Sequence, residues 1–192
     1  MKYIFLFLIM IIIISGCAAE NKVPVKKTNL KEDKYGSIGS KVIADNIVYS
    51  VEKVESYTEI GETEISAKAS GIFYIIYLNV ENKGANNHVF SPRIVLTDGI
   101  GMVYSNDLKA GFYLSNLIEW DQVLGPGESH KGTIVFDVSI GSEELELVIK
   151  DDWQTVNNIY IPLPASLIAD KGISEDVLRA KESNDLLKAK IN

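Results

Sequence analysis

The sequence is poor in the residues that build catalytic and metal centres. It contains one cysteine and two histidines among 192 residues. A single cysteine cannot form an internal disulfide, so the folded part must be held together by its apolar core. His88 and His130 have no second histidine or carboxylate at helical spacing, which excludes the zinc-protease motif. We expect both to be solvated turn residues.

Other signatures of enzyme chemistry are also missing. The sequence has no Gly-x-Ser-x-Gly segment and no glycine loop of the phosphate-binding or dinucleotide-binding type. Ser129 and His130 are adjacent and would point to opposite faces of a strand, so they cannot form the hydrogen bond that activates a serine. The acidic pairs Glu143-Glu144 and Asp151-Asp152 do not follow the EF-hand pattern. We therefore predict no catalytic residue, no metal and no cofactor.

Positive charge is scarce. There are 19 lysines and arginines against 26 aspartates and glutamates, which gives a net charge of −7. Such a surface repels nucleic acid and anionic lipid headgroups. We expect no nucleic-acid partner, and we expect any attachment to a membrane to depend on a lipid anchor rather than on a basic patch.

The longest apolar run lies at the N-terminus, from Tyr3 to Ile14. Its length fits the ~7–15-residue core of a signal peptide and falls short of the ~20 residues of a spanning helix. It ends in Ile14-Ser15-Gly16-Cys17, which resembles the lipobox of bacterial lipoprotein signal peptides. The resemblance implies that the signal peptide, residues 1–16, is removed and that lipid on Cys17 anchors the protein to the extracytoplasmic face of the cell membrane. A membrane helix with an incidental cysteine is the alternative.

The sequence after Cys17 divides into a linker, a β-rich domain and a tail. Residues 17–40 are polar and lysine-rich, which predicts a flexible tether. Residues 41–163 carry about seven short segments with strand periodicity and turn signals between them, which predict an all-β fold, an antiparallel β-sandwich. The segment Ile72–Val80 is apolar on both faces and predicts a central strand. Residues 164–192 form a tail with a predicted helix.

Three motifs follow one another along the β-rich domain: the strand Gly71–Gly84, the turn Leu124-Gly125-Pro126-Gly127-Glu128 and the return strand Gly132–Val138. In this order they resemble an uncharacterised family of lipoprotein domains of immunoglobulin-like fold, related to the mycobacterial immunoprotective extracellular antigen. The resemblance covers roughly residues 39–163 and implies an immunoglobulin-like sandwich. The family brings no established catalytic residues.

The segment from Tyr104 to Leu124 is rich in aromatic residues and has no clear strand period. Aromatic side chains on the loops of a rigid scaffold are effective binding anchors. We take Tyr113 and Trp120 as candidate binding residues. The alternative is that these aromatics close one end of the sandwich and belong to its core.

These observations lead to three hypotheses about function. The leading hypothesis is a membrane-anchored, non-enzymatic binding module for a protein or another component of the cell envelope. The alternative is a structural or accessory subunit of an envelope complex that docks through the C-terminal helix. A hydrolase is the third choice.

Overall fold

The computed structural model describes residues 31–62 and 65–164. In this part of the chain the polypeptide forms eleven strands and one short helix. In chain order they are β1 Glu32–Tyr35, β2 Val42–Ala44, β3 Ile47–Glu62, β4 Ile65–Asn82, β5 His88–Phe90, β6 Arg93–Thr97, β7 Val103–Tyr104, α1 Leu108–Gly111, β8 Gln122–Leu124, β9 Ser129–Val138, β10 Glu146–Lys150 and β11 Val156–Pro162. The all-β prediction is confirmed, but the strands outnumber the predicted seven because strands of two to four residues are too short to show an alternating pattern.

Two sheets form the sandwich. The five-stranded sheet has the order β1-β11-β10-β6-β7 and the four-stranded sheet the order β2-β3-β4-β9, while β5 and β8 form a separate ribbon. Neighbouring strands are antiparallel, except that β1 runs parallel to β11. The predicted central strand lies between β3 and β9, as its two apolar faces require.

The main core lies between the sheets. Ile76, Leu78 and Val80 of β4 are buried there with Leu96 of β6 and Leu147 of β10. Because successive side chains of a strand alternate between faces, the remaining apolar side chains of β4 point to the other face of the sheet. They must be buried by a different part of the chain.

A second apolar core buries these side chains on the outer face of the four-stranded sheet. Phe73 and Ile75 of β4 and Val135 of β9 pack there with Ala110 and Leu114, which belong to the segment around α1. The segment that has no strand period in the sequence therefore has a structural role, because it buries the outer face of the sheet.

The same segment also covers the edge of β9. Asp107 N–H donates to the Val135 carbonyl at 2.8 Å, and Ile118 N–H donates to the Thr133 carbonyl at 3.1 Å. An uncovered edge strand of this length would offer its backbone to another chain. Gly132 allows the close approach, because a β-carbon at this position would lie 2.5 Å from the Ile118 α-carbon.

The last part of the segment predicted to be a tether contains a strand. Strand β1 pairs with β11, Gly36 N–H donates to the Tyr160 carbonyl at 2.8 Å, and the Tyr35 and Tyr160 rings stack at 5.4 Å. These contacts come from residues distant in sequence, so the polar segment Glu32–Tyr35 becomes a strand without an apolar pattern of its own.

Several predictions fall on residues outside the described part of the chain. They are the signal peptide, the lipid site Cys17, the tether up to residue 30 and the helix in residues 165–192. Among residues 31–62 and 65–164, no helix is long and apolar enough to cross a membrane.

Candidate functional site

Two concave regions lie at opposite ends of β10. The first, here called the turn cleft, lies between the β6–β7 turn and the loop that precedes β10, and has a volume of about 560 Å³. Its lining consists of Asp98, Gly99, Ile100, Met102, Tyr104 and residues 139–144. Both walls are loops held by the ends of sheet strands, an arrangement common in binding sites.

Asp98 organises the turn cleft. Its Oδ1 accepts hydrogen bonds from the backbone N–H groups of Ile100 at 3.2 Å and Met102 at 2.9 Å, and its Oδ2 accepts one from the Tyr104 hydroxyl at 3.1 Å. The Tyr104 hydroxyl is also 2.7 Å from Ser142 Oγ, which joins the two walls. Burial alone would raise the pKa of Asp98, but these hydrogen bonds outweigh it and hold the pKa below its ordinary value.

Three large apolar side chains around the turn cleft are turned to solvent. Ile100 is 88% exposed, Met102 52% and Ile140 78%. Glu143 and Glu144 are exposed beside them, and no lysine, arginine or histidine is among the lining residues. The turn cleft therefore combines apolar surface with negative charge.

The second region, here called the amide pocket, lies beyond the other end of β10 and has a volume of about 430 Å³. Side-chain amides dominate its lining, with two carboxylates, one histidine and one tryptophan. The lining polar and aromatic residues are Asp45, Asn46, Asn82, Asn86, Asn87, His88, Asp152, Trp153 and Gln154. No lysine or arginine lines it.

His88 is not the solvated turn residue expected from the sequence. It is half-buried at the start of β5, and its Nε2 lies 3.1 Å from Asp151 Oδ2. The same oxygen accepts a hydrogen bond from the buried Tyr49 hydroxyl at 3.0 Å. Burial, and then the neighbouring Asp151 carboxylate, raise the pKa of Tyr49 far above its usual range. This contact ties the β5–β8 ribbon to the segment after β10.

His130 is also partly buried and has partners. Its Nε2 accepts a hydrogen bond from Glu119 N–H at 3.0 Å, and its ring meets Phe90 edge-on at 5.8 Å. The hydrogen bond from Glu119 and the contact with Phe90 both hold the His130 ring in the packing of the domain. Within the described ranges no three histidine, cysteine, aspartate or glutamate side chains come together in a way that could hold a metal ion.

The structure does not bring Tyr113 and Trp120 together. Tyr113 is half-buried against the second core, whereas Trp120 packs on the main core and stacks on Phe90 at 5.5 Å. The exposed aromatic residue of the segment is Phe112, at 80% exposure. These positions agree with the alternative that the two aromatics belong to the cores, and their role in binding stays a prediction.

Neither the turn cleft nor the amide pocket was identified from the sequence alone. A signal exists for each: Ile100 and Ile140 are isoleucines next to glycine in otherwise polar turns, and Asn86-Asn87-His88 is an amide-rich turn. Such signals gain meaning only when the fold shows which turns meet.

The family model for a domain of unknown function, DUF4352, matches residues 36–159. The chain belongs to the DUF4352 family. The match begins directly after β1 and ends within β11, so the DUF4352 domain contains both the turn cleft and the amide pocket. A comparison with curated proteins gives no match.

Solved structures resemble the DUF4352 domain in fold. The yjhA protein from Bacillus subtilis is 15% identical with a TM-score of 0.51, over 67% of this chain and 98% of that chain. An uncharacterized β-sandwich protein from Clostridium difficile is 16% identical, with a TM-score of 0.49 over 70% and 97% of the two chains. The secreted protein MPT63 from Mycobacterium tuberculosis is 16% identical, with a TM-score of 0.49 over 67% and 96%. The predicted resemblance to a family related to a mycobacterial antigen is confirmed.

Proposed function

We propose that this DUF4352 protein is a lipoprotein anchored through Cys17 outside the cytoplasm, and that its β-sandwich is a non-enzymatic binding module. Its binding site is the turn cleft, and its ligand is a peptide segment of a partner protein that places an apolar side chain beside lysine or arginine. The observation that carries this proposal is the exposure of Ile100, Met102 and Ile140 around one cleft.

The apolar half of the recognition comes from those three side chains. Burying an isoleucine contributes about 1.5–3 kcal/mol relative to leaving it exposed. The fold gains little of this from Ile100 and Ile140, because both are mostly exposed on turns. Exposed apolar side chains scattered singly need no explanation, but a group of them around a concave surface is typical of an interaction site.

The charged half of the recognition comes from Glu143 and Glu144. Both are exposed at the turn cleft, and no basic side chain of its lining competes for them. The net charge of −7 adds a field of the same sign. Such a surface attracts a cationic segment and accelerates its association.

The cleft is preorganised, which favours binding. Asp98 fixes the β6–β7 turn through two backbone N–H groups, and the contact between Tyr104 and Ser142 holds that turn against the opposite loop. A site whose loops are already ordered loses less conformational entropy when a ligand binds.

The experiment uses the full mature chain, residues 17–192, with Cys17→Ser to keep it in solution. A fluorescein-labelled peptide of alternating leucine and lysine is titrated and followed by fluorescence anisotropy. The double variant Ile100→Ser/Ile140→Ser should weaken binding roughly ten-fold or more. The control Ile43→Ser changes an isoleucine that is 60% exposed on β2, away from the cleft, and should leave binding unchanged.

The charge contribution is tested separately. Glu143→Gln/Glu144→Gln should weaken binding of the lysine peptide and reduce its dependence on salt. A peptide in which glutamate replaces lysine should bind poorly to every variant. Equal affinity of the wild type, the isoleucine variant and the control would show that the turn cleft is not the binding site.

A further inference from the structure

We propose that the amide pocket is a second binding site, specific for a neutral saccharide. It lies at the opposite end of β10 from the turn cleft, and it does not depend on the function proposed for that cleft. The proposal rests on hydrogen-bonding capacity, charge and preorganisation.

Four exposed amide side chains around the pocket have unused hydrogen-bonding capacity. Asn46, Asn86, Asn87 and Gln154 are exposed, and their side-chain amides make no hydrogen bond to any described residue. Each amide offers two donor hydrogens and one carbonyl acceptor. A sugar hydroxyl both donates and accepts, so a set of amides around one pocket matches a ligand with many hydroxyl groups.

The charge of the lining disfavours an anionic ligand. Asp45 and Asp152 are carboxylates, and the pocket has no lysine or arginine to attract a phosphate, sulfate or carboxylate. The Asp45 carboxylate already accepts hydrogen bonds from the Gln154 N–H at 2.7 Å and from the N–H and hydroxyl of Thr155. Asp45 therefore fixes the wall that carries Gln154, while Asp152 is free to accept from a hydroxyl.

The opposite wall is fixed by Asn82, which is buried. Its Nδ2 donates to the carbonyls of Asn86 at 2.8 Å and Leu124 at 2.9 Å, and its Oδ1 accepts from Gly84 N–H at 2.8 Å. The contact between His88 and Asp151 joins this wall to the segment that holds Asp152. The backbone that carries the amides is thus held in place before a ligand arrives, which reduces the backbone entropy lost on binding.

The size and the tryptophan of the pocket agree with this ligand class. Its volume of about 430 Å³ lies within the roughly 300–1,000 Å³ of small-molecule sites. Trp153 lines it at 4% exposure, and the indole N–H has no partner among the described residues. A ligand in the pocket would change the surroundings of this indole, so Trp153 reports on binding.

The test titrates the mature chain, residues 17–192 with Cys17→Ser, with lactose, cellobiose, maltose and di-N-acetylchitobiose. Saturation-transfer NMR detects binding, and the emission of Trp153 in a Trp120→Phe background measures it. Sugars are taken to ~10 mM, where affinities in the millimolar range are detectable. We expect binding of at least one disaccharide, and we expect 3′-sialyllactose, which is anionic, to bind more weakly than lactose.

Variants locate the site. Asn87→Ala/Gln154→Ala should weaken binding roughly ten-fold, because the ligand loses hydrogen bonds to two side-chain amides. Asn116→Ala, which removes an exposed amide on the segment after α1, should leave it unchanged. Hydrogen exchange read by mass spectrometry should show protection of residues 84–88 by the sugar, and this reading needs no substitution.

Each result decides the proposal. Absence of binding by all four sugars, binding that the double variant retains, or protection that lies elsewhere overturns it. Because the leucine–lysine peptide is measured on the same protein, a failure here is distinguishable from a failure of the turn cleft.

Discussion

Gly71 lies so close to Val138 that a β-carbon at Gly71 would stand 1.9 Å from the Val138 carbonyl oxygen. Just beside this contact, the Asp137 carboxylate accepts hydrogen bonds from the N–H groups of Ser70 at 2.7 Å and Gly71 at 3.0 Å. The end of β9 is therefore closed against β4 at a position where only glycine fits.

We expect Gly71→Ala to lower the free energy of unfolding by about 1–3 kcal/mol, because the backbone must move to admit the methyl group. Urea denaturation measures the change. Ser70→Ala is the matched control, since Ser70 is exposed and its contact with Asp137 is made by the backbone; it should stay within ~0.5 kcal/mol of the wild type. Equal midpoints for the two variants would show that the strands can separate at no cost.

The sequence predicted the elements whose own residues carry a clear pattern. Strand β4 was predictable because its apolar residues occupy both faces, and Ile76 is fully buried as that pattern requires. Strand β1 was not predictable, because Glu32–Tyr35 is polar and depends on pairing with β11. The segment around α1 was missed for the same reason: Ala110 and Leu114 gain their role from an outer sheet face that only the fold reveals.

The candidate sites were the least predictable part. Ile100 and Ile140 lie in different turns, and only the sandwich brings them to one cleft. Tyr113 and Trp120 belong to a segment that is rich in aromatic residues, which made them candidate binding residues. Aromatic residues, however, occur in cores as readily as in interfaces. Composition alone cannot separate these roles, because they differ in exposure.

Asp98 predicts a dependence of stability on pH. Its hydrogen bonds hold its pKa below the ordinary value of 3.8, so the unfolded chain binds a proton more readily than the folded one. The stability that Asp98 contributes is therefore present above about pH 4 and is lost as the pH falls through the lower pKa of the folded state. Asp98→Asn should be less stable than the wild type at neutral pH and should lose less stability on acidification.

The measurement is a series of urea denaturations between about pH 7 and pH 3, the range in which carboxylates titrate. Asp152→Asn serves as the control, because this carboxylate is exposed and accepts no hydrogen bond from a described residue. Its curve should run parallel to that of the wild type. A parallel curve for Asp98→Asn as well would exclude a coupling between Asp98 and folding.

The aromatic segment allows a test of core against surface. Trp120 stacks on buried Phe90, so Trp120→Ala should lower the free energy of unfolding by about 2–3 kcal/mol, somewhat less than the ~3–5 kcal/mol of a fully buried aromatic. Phe112→Ala removes a side chain that is 80% exposed and should change it by less than ~0.5 kcal/mol. Thermal melts of both variants compare their stabilities. If Trp120→Ala were as stable as Phe112→Ala, Trp120 would be free to act as a binding anchor.

The last prediction concerns the anchor. Cys17→Ala should abolish incorporation of radiolabelled palmitate and release the protein from membranes, because the sequence offers no other cysteine as a lipid acceptor. Ser15→Ala keeps the small residue and the cysteine of the lipobox-like segment and should retain the label. A wash in high salt should leave the wild type on the membrane, since a chain of net charge −7 is not held there by basic residues. Label that persists in Cys17→Ala, or release of the wild type by salt, would contradict a lipid anchor at Cys17.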